Sequence, residues 1–486
     1  MKALKDILYG VSIDSVVGTT DRDVAQIQYD SRLKNPDSIF VALRGQVSDG
    51  HEHINAAITN GCTSVVCESI PEKIQTGVTY IRTANTRLAL AIMAANFYER
   101  PSEQLQLIGV TGTNGKTSVV RLLFGVFQRL GHSVGVISTI GNAINEQSYP
   151  ATHTTPDPLA INAFLHKMVQ AGVGYCFMEV SSHGIDQCRT AGLRFAGGVF
   201  TNLSHDHLDY HKTFAQYRDT KKQFFDQLSQ EAFALSNKDD KNGAFMLQNC
   251  KAQHRFYGLK TSAHFKAKIL ERDFAGMLLT VDNTEVWTPL VGDFNASNIV
   301  AVYACCLLLG KDPEESLHAI SAIEPVAGRF NAFTANNNIK AIVDFAHTPD
   351  ALENVLTSIN QIRTGNELLI TVVGCGGGRD AAKRPKMGRI ATMLSDKVIF
   401  TSDNPRNEEP EAIIKQMEEG VAPEDYKKFL SIADRKQAIK TACQLAHPND
   451  IILVAGKGHE THQEIQGVKK DFDDMIELKS NLKISD

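Results

Sequence analysis

The residues whose chemistry is easiest to name lie between Gly112 and Ser118. Gly112-Thr113-Asn114-Gly115-Lys116-Thr117-Ser118 places two glycines, a lysine and three hydroxyls in seven positions. Glycines let backbone N–H groups turn toward an anion, a lysine reaches outer phosphates, and a hydroxyl can ligate Mg²⁺. Such a loop binds the phosphates of ATP or GTP when a strand precedes it and a helix follows. Both are expected here. The apolar run from Leu105 to Val110 reads as a buried strand, and Val120, Leu123, Phe124, Phe127 and Leu130 recur at helical spacing. Val110 stands where the usual G-x-x-x-x-G-K-[ST] pattern has its first glycine, so the match is partial and silent about a second substrate.

Other reactive side chains follow further strand-like runs. The run at 175–180 carries Glu179 and leads into Ser181-Ser182-His183-Gly184. The run at 197–203 leads into Ser204-His205-Asp206-His207-Leu208-Asp209-Tyr210-His211, which reads either as a metal-ligating cluster or as a hydrogen-bonded turn. Four more runs, at 339–343, 368–373, 397–400 and 451–454, each give way at once to a polar segment. Those segments are Asp344-Phe345-Ala346-His347, Gly374 to Arg379, Thr401 to Arg406, and Ala455 to Glu460. Strands alternating with helices predict doubly wound parallel sheets, in which ligands gather at the carboxyl ends of the strands.

The 486 residues suffice for about three domains. We place an N-terminal α/β domain at 1–103, a central P-loop domain at 104–330 and a Rossmann-like α/β domain at 331–486. The first break falls at Pro101-Ser102-Glu103. Polar turns at Asp30-Ser31-Arg32 and at 44–51 could hold a polar ligand, although most turns only reverse the chain. A net charge of −5 leaves no electrostatic footprint for nucleic acid. Nine cysteines without a C-x-x-C pair fit a reducing cytoplasm better than a disulfide framework or a zinc ribbon. No signal peptide and no apolar run of membrane-spanning length is expected, and the chain is expected to be a monomer.

Taken in order, these segments resemble the Mur ligases, the ATP-dependent amide-forming enzymes of peptidoglycan synthesis. The resemblance spans nearly the whole chain. It rests on Asp30-Ser31-Arg32, Phe40-Val41-Ala42, Asp49-Gly50-His51, Gly112 to Ser118, Thr154-Thr155-Pro156-Asp157 and Met178 to Gly184. It continues through Asp206 to His211, Gly328-Arg329-Phe330, Asp403 to Arg406 and Gly456 to Glu460. Two positions depart from the pattern: Asn85 where an acidic residue is common, and Phe345 where a Tyr is usual.

The resemblance implies a ligase that joins meso-2,6-diaminopimelate to UDP-N-acetylmuramoyl-L-alanyl-D-glutamate through an acyl phosphate, with ATP and Mg²⁺ as cofactors. A lysine-adding relative is the nearest alternative. Lys116, Glu179, His207 and Lys221 would carry catalysis, and their joint presence argues against a nucleotide-binding protein that has lost it. Nucleotide contacts are implied at Gly112, Thr113, Asn114, Gly115, Lys116, Thr117, Ser118, Asn295, Asn298, Arg329 and Asp344. Metal contacts are implied at Thr117, Glu179, His207 and a carbamylated lysine, either Lys221 or Lys222. The family places that lysine four residues after a Tyr, which selects Lys221 after Tyr217, on the same helix face. The nucleotide-sugar peptide is implied at Ser31, Thr154, Thr155, Ser181, Gln187 and Arg189. The amino acid is implied at Arg379, Asp403, Asn404, Pro405, Arg406, Gly456 and Glu460, where the two arginines could fork onto carboxylates.

Overall fold

The computed structural model describes residues 1–45 and 48–484. Gln46 and Val47 of the polar turn at 44–51 therefore lie outside the described residues, as do the last two.

Three sheets organise the chain. The first has five strands in the order Ser15–Val17, Thr79–Arg82, Cys62–Cys67, Ser38–Val41, Gln26–Gln28, parallel except at the Ser15–Val17 edge. Ile39, Val41, Val66 and Ile81 of this sheet pack on Leu90 and Met93 of the Thr86–Phe97 helix. Asn85 caps that helix by accepting from Leu88 N at 3.0 Å, the task an acidic residue would perform at the same place.

The second sheet has eleven strands, with a parallel block at its centre. The P-loop strand Gln106–Thr111 lies between Tyr175–Glu179 and Gly197–Phe200. Both faces of this block are covered, so its strands are apolar throughout rather than alternating. Ile108 and Val110 point toward the Lys116–Arg129 and Asp293–Leu308 helices, while Leu107 points toward the Pro158–Gln170 and Phe214–Asp226 helices. Because the three strands are neighbours, the loops after Thr111, Glu179 and Phe200 open side by side at one edge. The last of these strands is shorter than expected. It stops at Phe200: Thr201 N makes a last bond to Thr111 O at 3.0 Å, and the chain then turns onto the P-loop, where Thr201 Oγ1 donates to Asn114 O at 2.6 Å and Thr113 N to Asn202 O at 2.8 Å.

The third sheet has six strands, ordered Asn331–Thr334, Lys340–Asp344, Ile451–Ala455, Leu369–Val373, Lys397–Phe400, Phe429–Ser431, parallel beyond the first. The Ile451–Ala455 strand inserts between two that precede it in sequence. That crossover puts the loops after Asp344, Val373, Phe400 and Ala455 along one edge. Such a reversal of strand order is where ligands collect in open α/β sheets. Among the described residues no helix is long and apolar enough to cross a membrane.

Candidate active site

The P-loop is held in a shape that only glycine tolerates at two points. Gly112 has φ +151°, and a Cβ there would stand 1.9 Å from Thr201 Oγ1. Gly115 has φ +86°, and its Cβ would stand 2.8 Å from Asn298 Oδ1. Asn298 is thus packed against the loop. Its amide N–H and that of Asn295 are spent internally, on Asn295 Oδ1 at 3.2 Å and Val291 O at 2.9 Å. Lys116 folds back onto its own loop, donating to Gly112 O and Thr113 O at 2.9 Å each. Asn114 reaches beyond the loop and donates to Asp350 Oδ2 at 2.8 Å, at the start of the Pro349–Ile362 helix of the third sheet. Thr113 donates or accepts across 3.0 Å to Tyr217 OH, and Ser118 is buried in the first turn of the helix.

Beside the loop, Thr117 Oγ1 donates to Glu179 Oε1 at 2.9 Å. Glu179 is buried, and its two oxygens also accept from Thr139 N at 2.7 Å and Thr139 Oγ1 at 3.2 Å. Thr139 carried no signal in the sequence; it matters only because the fold sets it against Glu179. Arg329 enters from the junction with the third sheet. Its Nη2 donates to Thr117 Oγ1 at 3.2 Å, and its guanidinium lies 4.4 Å over the Phe345 ring. The Arg329 Nε is buried without a partner, a donor with capacity to spare for an anion. Asp344 is buried behind it and accepts from Phe330 N at 2.7 Å; burial raises its carboxyl to about 6 against the pull of Arg329.

Lys221 and Tyr217 share the inner face of the Phe214–Asp226 helix. The Lys221 ammonium sits 4.8 Å over the Tyr217 ring and donates to Gly112 O at 2.8 Å, the same carbonyl that Lys116 uses. Burial, and then the Lys116 charge, push the Lys221 amine well below its ordinary value. A neutral amine is the form that adds CO₂. Lys222 is instead paired with Asp226 one helical turn on. His207 sits at φ +55° before a one-turn helix, its ring 6.0 Å from Tyr217 and 5.0 Å from His183. Burial lowers its pKa, with the Lys221 and Lys116 charges adding to the effect and Asp206 opposing it, so the imidazole is neutral with a lone pair to give.

Among the described residues no group of three or more His, Cys, Asp or Glu side chains converges as a metal cage. The donor set fits Mg²⁺ rather than zinc. A hydroxyl and a carboxylate stand at the phosphate loop, and Mg²⁺ keeps several waters while leaning on substrate phosphates. Thr117 and Glu179 would hold it directly. Lys221 could join them only as an anion.

The expected sugar-peptide contacts cluster at the carboxyl end of the Glu179 strand. Thr155 Oγ1 donates to Glu179 O at 2.8 Å and accepts from Ser181 N at 2.9 Å; Thr154 Oγ1 accepts from Thr139 Oγ1 at 3.0 Å. Arg189 donates to Thr155 O at 2.6 Å and forks onto Gln187 Oε1 at 3.1 and 2.7 Å. Ser31 lies in the first sheet's region, where its carbonyl accepts from Asn60 at 2.8 Å.

On the third sheet, Asp403, Asn404 and Glu460 come together. Asn404 Nδ2 donates to Glu460 Oε2 at 2.8 Å, and Asp403 Oδ2 is buried without a partner beside Gly456. Pro405 turns the chain into Arg406, which has φ +52° and donates through Nη1 to Gly377 O at 2.7 Å. Arg379 lies across the same glycine loop. This cluster faces the central sheet, since Asp380 pairs with His205 at 2.8 Å and the Arg379 charge is felt at His183. Lys457, quoted in the motif but assigned no role, is fully buried between Asn404 and Glu460.

Comparison with known proteins accounts for this arrangement. Three family models match in chain order: "Mur ligase family, catalytic domain" at 23–98, "Mur ligase middle domain" at 110–306, and "Mur ligase, glutamate ligase domain" at 328–458. A relative from Cytophaga hutchinsonii is 53% identical over 99% of both chains. The chain belongs to the Mur ligase family. That relative is a UDP-N-acetylmuramoyl-L-alanyl-D-glutamate–2,6-diaminopimelate ligase, as is a 51% identical relative from Phocaeicola vulgatus covering 97% of both chains. A solved structure of a ligase of the same name aligns over 99% of this Mur ligase and 98% of its own chain, at 30% identity and TM-score 0.69.

Proposed function

We propose that this Mur ligase joins meso-2,6-diaminopimelate to the D-glutamate of UDP-N-acetylmuramoyl-L-alanyl-D-glutamate at the expense of ATP, in the cytoplasm. The observation that carries the reading is end-to-end similarity to diaminopimelate-adding relatives, at 53% identity over 99% of the chain. We take 1–103 as the nucleotide-sugar domain, 104–330 as the ATP domain and 331–486 as the amino-acid domain.

The chemistry divides into two transfers. First, a D-glutamate carboxylate oxygen attacks the γ-phosphorus; that O–P bond forms, the bond to the β-phosphate oxygen breaks, and ADP leaves. Then the amine attacks the acyl carbon, the C–N bond forms, phosphate departs with its oxygen, and the amine loses a proton. Phosphoryl transfer needs positioning and charge neutralisation more than covalent help. Lys116 would release its loop carbonyls to reach the phosphates, and Arg329 would meet the γ-phosphate. Mg²⁺ would supply further charge neutralisation, and Thr117, Glu179, His207 and a carbamylated Lys221 would hold it. Carbamylation would join the neutral Lys221 amine to CO₂ and release a proton, turning an uncharged amine into an anionic, two-oxygen ligand. Asn295, Asn298 and Asp344 would border the nucleoside. Ser31, Thr154, Thr155, Ser181, Gln187 and Arg189 would hold the sugar-peptide.

For the amino acid, Arg379 and Arg406 would read the distal carboxylate that diaminopimelate has and lysine lacks, and the Asp403–Asn404–Glu460 cluster would read the distal ammonium that both carry. Leaving that arginine unpaired with lysine bound costs about 3–5 kcal/mol, on the order of 10²–10⁴ in selectivity. The test is phosphate release across a matrix of ATP, dipeptide and amines. Turnover is expected only with all three substrates present, with diaminopimelate preferred over L-lysine by about a hundredfold or more. Arg406→Ala should lose most of that preference. ATP turnover indifferent to the dipeptide would sink the ligase reading; equal use of lysine would sink the specificity alone.

A further inference from the structure

Lys457 spends a buried charge where hydrocarbon would pack. Its side chain is 0% exposed, in the loop after the Ile451–Ala455 strand. Its Nζ donates to Glu460 Oε2 at 2.9 Å and to Asn404 Oδ1 at 3.1 Å. Asn404 Nδ2 closes the triangle by donating to the same Glu460 Oε2 at 2.8 Å, and Glu464 N donates to Asn404 Oδ1 at 3.0 Å. The ammonium and the Glu464 N–H therefore decide which way the Asn404 amide points. Reversing the amide would set its NH₂ against two donors. Glu460 Oε2 is occupied twice over, which leaves Oε1 outside the triangle.

We propose that Lys457 is a positioning residue for amine recognition: it locks Asn404 and Glu460 so that Glu460 Oε1 is presented to an ammonium of the incoming diamino acid. The proposal rests on reading 403–406 and 456–460 as the amino-acid site. A buried ammonium needs such a task, because desolvating it is costly unless it is paired. Lys457 also governs charge at Glu460. Burial raises the Glu460 carboxyl, and Lys457, Asn404 and His462 outweigh burial and hold it below the ordinary value. The other charges facing it are Arg329 and Arg435, with Asp403 on the acidic side. Without Lys457, Glu460 would take up a proton at higher pH and lose its hold on a cation.

The experiment is steady-state kinetics on the full chain for Lys457→Met and Lys457→Gln, alone and in a Glu460→Gln background. The Gln variant keeps a donor, so it folds where Met fails. KM for meso-diaminopimelate should rise about 10- to 100-fold, while KM for ATP and for the dipeptide stays within about twofold and kcat within about threefold. The amine KM of the single variants should climb further between pH 8 and pH 6, where the parent's stays flat. In the Glu460→Gln background, replacing Lys457 should add little, because nothing remains to be positioned. An unchanged amine KM, a uniform rise in all three KM values, or full additivity with Glu460→Gln would each overturn the proposal. A parent enzyme without amine-dependent turnover overturns the ligase reading first, and this inference with it.

Discussion

Lys221 and Lys222 are neighbours in sequence and opposites in environment. Lys221 is buried against Tyr217 and Gly112 O, and its amine is pushed well down by burial and by Lys116. Lys222 is paired with Asp226. Lys221→Ala should cut turnover by about 10²-fold or more, as loss of a preorganised electrostatic group does. Lys222→Ala should change it by less than about twofold. Equal losses at the two positions would show that the carbamate is misassigned. Stability should move with pH in a set direction. The Lys221 amine is depressed in the folded state, so the unfolded chain binds the extra proton and folding gains stability as pH rises toward 10.5. In CO₂-free buffer, the melting temperature of Lys221→Met relative to the parent should therefore be greatest near pH 7 and shrink toward pH 10. A difference independent of pH would contradict the depressed Lys221 amine.

At the level of elements, the loops proposed to hold the amino acid are braced from beneath. Arg435, in the Arg435–Leu445 helix, is fully buried with Asp474 of the Asp474–Asn481 helix, at 2.8 and 2.7 Å. The same guanidinium donates to Ser402 O at 3.2 Å and Ala455 O at 3.0 Å, the last carbonyls before Asp403 and Gly456. One side chain thus ties two strand ends and the C-terminal helix together. Asp474→Ala leaves that guanidinium buried without its anion and should cost about 3–5 kcal/mol of stability, read by urea unfolding. A loss under about 1 kcal/mol would mean that the pair breaks even with packing.

At the scale of the whole molecule, the second and third sheets meet across the nucleotide loop. Asn114 bonds Asp350, His205 pairs with Asp380, and Lys383 donates to His347 O at 2.9 Å beside Asp206. Gly328 and Gly458 touch so closely that a Cβ on Gly328 would stand 2.1 Å from His459 N. These contacts join the two sheets beside the loop; closure there would exclude water from an acyl phosphate. Asp350→Ala combined with Asp380→Ala removes two charge-assisted contacts, each worth about 1–3 kcal/mol. The free variant should show a larger radius of gyration by solution scattering than the parent, and ATP with dipeptide should narrow the gap. Identical scattering would mean that closure does not depend on these pairs.

The amino-acid sequence by itself determined the local units. Glycine spacing and an apolar run specify a strand, a phosphate loop and a helix at 106–129, because those conformations follow from short-range sterics and periodicity. Motif order was enough to bring out the family, and the four polar strand ends of the third sheet lie where the pattern put them. Only the tertiary structure decided which distant groups meet. Thr139 on Glu179, Asp350 on Asn114 and Lys457 on Asn404 are contacts across sheets or crossovers. No periodicity encodes a partner tens or hundreds of residues away. The same holds for the Lys221 amine: burial and the Lys116 charge lower it, and both depend on what the fold packs around that side chain.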